Sequence, residues 1–135
     1  MAGVSQYIKE GPQTFVPADN ATIRGGDVLA PATGGRVQRA GANSVLALGV
    51  AATDAVAPED VVNTPGTDGL GRPVLAVAPI PTTVACLAGG VVTKVTYAAD
   101  AAFGDYLKCA ANGQVTPATA DGDPRLIIGR CVEPG

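Results

Sequence analysis

The sequence predicts an all-β fold, a small barrel or sandwich with two pseudo-repeated hairpin units and an extended N-terminal arm. Three observations lead there. First, Gly and Pro together make up about a fifth of the 135 residues, against about 12% on average, and they punctuate apolar runs too short for helices. Second, "GDVLAPATGGRVQRA" (26–40) overlays "GDYLKCAANGQVTPA" (104–118) without a gap, with seven of fifteen positions identical, where composition alone gives about one or two. Third, after a two-residue slip "VLALGVAA" (45–52) comes approximately onto "LIIGRCVE" (126–133), with Leu48 and Gly49 on Ile128 and Gly129. Each unit then reads as Gly-Asp, strand, Gly turn, strand, second turn, apolar strand containing Gly.

Along the chain, residues 1–24 carry Tyr7, Ile8, Phe15 and Val16 among polar residues and two prolines. No turn signature folds them back, so an extended arm is expected, followed by a single β-domain over 25–135. The arm's apolar side chains would then need a partner outside the domain. The first repeat unit covers about 26–52. Gly34-Gly35 is its hairpin turn, because a type I′ turn needs positive φ at both central residues. Gly49, within an apolar run, predicts a bulge or a close backbone approach.

"TDAVAPEDVVNTPGTDGLGRP" (53–73) is polar and rich in Pro and Gly, and reads as a long loop. Strands are expected in 74–79, 82–87 and 91–97, the last alternating Val91, Thr93, Val95 and Tyr97 against Val92, Lys94 and Thr96. "AADAAF" (98–103) is room for one helical turn at most. The second unit, about 104–133, turns at Asn112-Gly113, again a type I′ signal with a two-residue loop, and at Asp121-Gly122-Asp123-Pro124. Gly129 repeats the role of Gly49.

Composition narrows the function classes. The net charge is −3, with no basic cluster, so nucleic acid is not an expected partner. No run reaches the ~18 apolar residues of a membrane span, and the N-terminus has no secretory signature. Apolar content is mostly Ala and Val, with two Phe, three Tyr and no Trp. Such a core is thin, and association would supplement it. The three cysteines, Cys86, Cys109 and Cys131, form no metal or redox spacing and read as small buried thiols of a reducing compartment.

The only stretch resembling a chemical site is Asp105, Lys108 and Cys109. Histidine is absent, which removes the commonest general base and thiol activator. Neighbours on a strand face opposite ways, so Asp105 and Cys109 share a face that Lys108 does not. No catalytic residue, metal or cofactor is expected. Asp54, Glu59, Asp60, Asp68, Asp121 and Asp123 are oxygen donors without the spacing of a calcium loop. "GTDGLG" (66–71) lacks the Lys-Ser/Thr of a phosphate loop. Two Gly-Asp hairpin units also describe biotinyl or lipoyl carrier domains. Those carry their lysine at a hairpin tip, whereas here the tips hold none and Lys94 and Lys108 lie in expected strands.

Taken together, the arm, "ATIRGGDVLAPATGGRVQRAGANSVLALGVAATDA" (21–55) and "AAFGDYLKCAANGQVTPATADGDPRLIIGRCVE" (101–133) resemble the decoration (cement, or head-stabilising) proteins of tailed bacteriophages. The resemblance implies a structural virion protein, not an enzyme. It would be made in the bacterial host cytoplasm and bind the outer surface of an icosahedral capsid. It implies a homotrimer bridging capsomers, with the major capsid protein as partner. The arm would lie along or add a strand to that partner, and Tyr7, Ile8, Phe15 and Val16 are the arm residues whose chemistry suits the contact. The alternatives are another phage part, in the tail or a fibre, and a small β carrier or binding domain.

Overall fold

A computed structural model describes residues 12–61, 65–75, 80–119 and 122–135. Among these the protein is all-β, with helical structure limited to three-residue 3-10 turns. A five-stranded antiparallel sheet takes the order β1-β9-β5-β3-β4, formed by β1 (Gln13–Phe15), β9 (Val84–Leu87), β5 (Gly49–Ala51), β3 (Val28–Pro31) and β4 (Val37–Arg39). A three-stranded sheet has the order β11-β10-β12, from β11 (Val115–Pro117), β10 (Tyr106–Cys109) and β12 (Ile127–Arg130). Two short ribbons pair β2 (Thr22–Ile23) with β6 (Ala55–Val56), and β7 (Pro65–Thr67) with β8 (Pro73–Leu75).

The duplication is visible bond by bond. In the first unit Leu29 faces Arg39 on one side and Gly49 on the other; in the second, Leu107 faces Pro117 and Gly129. The Gly-Asp turn is also repeated. Gly26 and Gly104 sit at φ +93° and +91°, a region that glycine adopts without the Cβ penalty of other residues. The Asp27 and Asp105 carboxylates each accept the N–H three residues back, from Arg24 and Ala102, at 2.9 Å. The units extend beyond 26–52 and 104–133. Val37 N–H donates to Val16 C=O and Ala18 N–H to Val37 C=O, and Val115, Thr96 and Ala98 repeat both bonds.

The hairpin tips follow the sequence in dihedrals but not in length. Asn112 and Gly113 both have positive φ, and Gln114 N–H closes the four-residue turn on Ala111 C=O. The ladder, however, ends at Cys109↔Val115, with Ala110 N–H to Gln114 C=O outside it. Inside that bond the loop is three residues, 111–113, one more than the two expected, and 33–35 inside the Ala32–Arg36 bond repeats it.

Two cores result, one on each face of β3. Leu29 points into the first, with Ile23, Val37, Ala51, Ala55, Val84 and Cys86, flanked by Phe15. Val28 and Ala30 point into the second, where with Ala40 they meet Ala101, Leu107, Cys109, Val115 and Cys131. The back of the first unit is thus the roof of the second unit's core, a sandwich-like stacking. The named strands do not close into a barrel: past β4 the pairing continues as a single parallel bridge, Pro17 to Val37, on the segment that follows β1. Among the described residues the buried apolar side chains are mostly Val, Ala and Cys; Val falls within the ~1.5–3 kcal/mol of a fully buried aliphatic side chain, whereas Ala buries far less area.

Other expectations are revised. The described part of the arm, 12–24, does not project. β1 pairs with β9, Pro17 and Ile23 are buried, and Phe15 packs on the domain's own core. Within the expected loop 53–73 lie β6, a 3-10 turn (Pro58–Asp60) and β7. Segment 92–97 keeps its alternation in exposure, with Thr93, Val95 and Tyr97 half-buried and Val92, Lys94 and Thr96 exposed, while Val91, expected on the first face, is exposed. It makes only a single bridge, Tyr97 to Val115, rather than a strand. No helical turn forms at 98–103. Strand β8 ends at Leu75, and 76–79 lie outside the described residues.

Candidate functional site

Lys108 and Cys109 separate as strand geometry requires, whereas Asp105, expected on the Cys109 face, precedes β10 in the Gly-Asp turn. Cys109 and Leu107 enter the core, Lys108 lies half-buried on the opposite face, and Asp105 is held by Ala102 N–H. Lys108 borders a cleft of about 20 Å³ with Thr119, Gly122, Asp123, Leu126 and Ile127. That is room for about one water. A shallower concavity of about 440 Å³ lies between Gly25-Gly26, Ala51-Ala52, Leu87 and residues 93–96. Lys94 is the one titratable group on its wall. The hairpin tips, Gly34-Gly35 and Asn112-Gly113, carry no lysine.

Four of the candidate carboxylates hold turns, while Asp60 is exposed and makes no side-chain hydrogen bond or ion pair among the described residues. Asp54 accepts Gly25 N–H at 2.8 Å. Glu59 meets Arg36 at 2.6 Å, tying the 58–60 turn to the first hairpin, and that guanidinium holds the Glu59 carboxyl below its ordinary range. Asp68 accepts Leu70 and Arg72 N–H, both at 2.9 Å, in the β7–β8 turn. Those bonds, Arg72 N–H first, lower the Asp68 pKa. Within "GTDGLG" the Leu70 amide is thus taken by the Asp68 carboxylate and the Gly71 amide by the Asp68 carbonyl. Asp123 caps the Pro124–Leu126 turn and pairs with Arg125 at 2.6 Å, which lowers its pKa. Asp121 lies outside the described residues. Among the described residues no three His, Cys, Asp or Glu side chains come together as metal ligands.

The three thiols are free and buried. Burial pushes the Cys86 and Cys109 thiols up, away from the thiolate that nucleophilic chemistry needs. The Tyr97 hydroxyl lies 3.4 Å from Cys131 Sγ and 3.3 Å from Glu133 C=O, donating toward both. The Cys131 contact is the main cause of a phenol pushed up to about 12. Asp27 is the one buried charged residue among those described. Its carboxylate takes Arg39 Nε at 2.7 Å besides Arg24 N–H.

Of the arm residues chosen for partner contact, Tyr7 and Ile8 lie outside the described residues. Phe15 and Val16 are half-buried in this domain, Phe15 opposite Val84 in the ladder and Val16 bonded through its carbonyl to Val37. Sequence reasoning missed a different surface. The apolar run 45–48, expected to open a strand, is mostly exposed: Val45 52%, Leu46 63% and Leu48 40%. Leu70, Val92 and Phe103 are exposed as well. An apolar run in a loop looks the same in one dimension as a buried strand, so no signal marked these residues.

Among the described residues no helix is long and apolar enough to cross a membrane. Comparison with protein families, curated proteins and solved structures finds no match to the chain.

Proposed function

We propose that the chain is a structural virion protein that binds the outer surface of an icosahedral bacteriophage capsid and stabilises it by bridging capsomers as a trimer. The observation that carries this reading is the exposed apolar set. Val45, Leu46, Leu48, Leu70, Val92 and Phe103 stay in water while the domain's own core is built of small side chains. Large exposed side chains on such a domain fit surfaces that an assembly covers. The engagement of four candidate carboxylates and the thiols in the fold, and the resemblance of both repeat units to capsid decoration proteins, support it. Repetition over many capsid positions would make weak single contacts collectively strong.

The arm that reaches the capsid is the part before β1, with Tyr7 and Ile8. Deleting residues 1–11 should leave a folded domain that no longer sediments with capsids; binding equal to the full chain overturns the arm's role. Immunogold labelling of particles from the native source locates the protein. Labelling over the whole head is expected, and labelling confined to the tail or one vertex moves the protein to that part.

A further inference from the structure

The two units differ on one side. The outer edge of β5 is covered by β9: Val50 pairs with Leu87, Ala51 with Cys86, and Ala52 N–H donates to Ala85 C=O at 2.8 Å. The contact is so close that a Cβ on Gly49 would run into the Leu87 carbonyl and lie 2.8 Å from Cys86 Sγ. At the corresponding edge of β12 there is no strand among the described residues. A Cβ on Gly129 would meet nothing within 4 Å. Arg130 stands where Val50 does and Cys131 where Ala51 does. Val132 N–H, the counterpart of the Ala52 donor, makes no backbone hydrogen bond among the described residues, and the Val132 side chain is 53% exposed.

We propose that the outer edge of β12 is a strand-acceptor site for an acidic, extended segment of another polypeptide, lying antiparallel to β12 in the place that β9 takes beside β5. Main-chain hydrogen bonds supply the affinity of such an added strand, and alternate side chains its specificity. The specificity is read off β9. The residue facing Cys131 corresponds to Cys86, and is small and apolar because it enters the core. The next corresponds to Leu87 and lies beside Arg130. That guanidinium is exposed, 4.5 Å over the Tyr106 ring, with Nη2 2.7 Å from the Tyr106 hydroxyl. Among the described residues no carboxylate is within ion-pair reach of it.

Opposite charges across a ladder attract and like charges repel, so the facing residue is Asp or Glu. Pairing of two β12 edges would bring two Arg130 side chains together, which disfavours a second copy. Within residues 1–11 the one acid, Glu10, follows Lys9 rather than a small apolar residue, which disfavours the chain's own arm.

The probe is the heptapeptide Thr-Thr-Val-Ala-Ala-Glu-Ala, with a control carrying Arg for Glu, titrated into the ¹⁵N-labelled full chain. The acidic peptide should shift the Arg130 and Val132 amides and slow Val132 hydrogen exchange about tenfold near saturation. The arginine peptide should bind about fivefold more weakly, and Arg130→Glu, a surface change, should invert that order. Equal binding of the two peptides, shifts that bypass Arg130 and Val132, or no binding up to millimolar peptide overturns the proposal. So does slow Val132 exchange without peptide that quickens on dilution or on deletion of residues 1–11, because a second copy or the arm then fills the edge.

Discussion

Gly49 and Gly129 occupy the same place in the two units and face opposite surroundings. Gly49→Ala drives a methyl into the Leu87 carbonyl and Cys86 and should cost about 1–3 kcal/mol. Gly129→Ala enters open space and should stay within about 0.5 kcal/mol; urea midpoints at constant m separate the two. The Gly-Asp aspartates are similarly unequal. Asp27 is buried between Arg24 N–H and Arg39, so Asp27→Ala should cost about 1.5–3 kcal/mol. Among the described residues Asp105 has only Ala102 N–H, and Asp105→Ala should cost about 1 kcal/mol or less.

Acid should act through Glu59, Asp68 and Asp123. Their carboxyls are depressed in the folded chain, so their contribution is present above the ordinary carboxylate pKa and is lost as pH falls through the lower folded values. Asp68→Asn should flatten the loss of thermal stability on acidification; an unchanged pH profile would contradict that role.

At the scale of elements, residues 12–24 of the expected arm belong to the domain. Removing 1–24 takes away β1, β2 and the buried Ile23, and circular dichroism should show no cooperative transition. The sequence made the repeat legible because its marks are backbone requirements: positive φ at Gly26, Gly104 and Gly113, and a turn that Asp27 and Asp105 close locally. Gly49 and Gly129 were legible too, each taking one of the two expected roles. Gly49 is a close approach, while at Gly129 the ladder slips between Leu107 and Lys108. What could not be read was pairing at long range. Nothing near Phe15 announces that its partner is Val84, and nothing in 45–48 tells an exposed apolar loop from a strand.

Across the whole molecule, the units stack back to front and the second core belongs to both. Unfolding should therefore follow one transition, with fluorescence and circular dichroism coinciding; two separate midpoints would show independent units. The three thiols should resist a thiol reagent in the native state and react as three equivalents in denaturant. Val28 and Ala30 roof a core that Cys109 and Cys131 line, so exposing those thiols needs the units to part.

The pairing of β1 with β9 also has a consequence for synthesis. About seventy residues separate Phe15 from Val84 and Cys86, and at about 5–20 residues per second the ribosome spends roughly 4–14 s between them. Over that interval the β3–β4 hairpin and β5 have emerged while both of the partners that will seat β1, the strand β9 and the core beneath Phe15, are incomplete. The nascent chain carries its N-terminal segment unpaired and β5 with a bare edge. A chaperone that holds extended apolar peptides should therefore engage this protein during elongation and release it once residue 87 clears the exit tunnel.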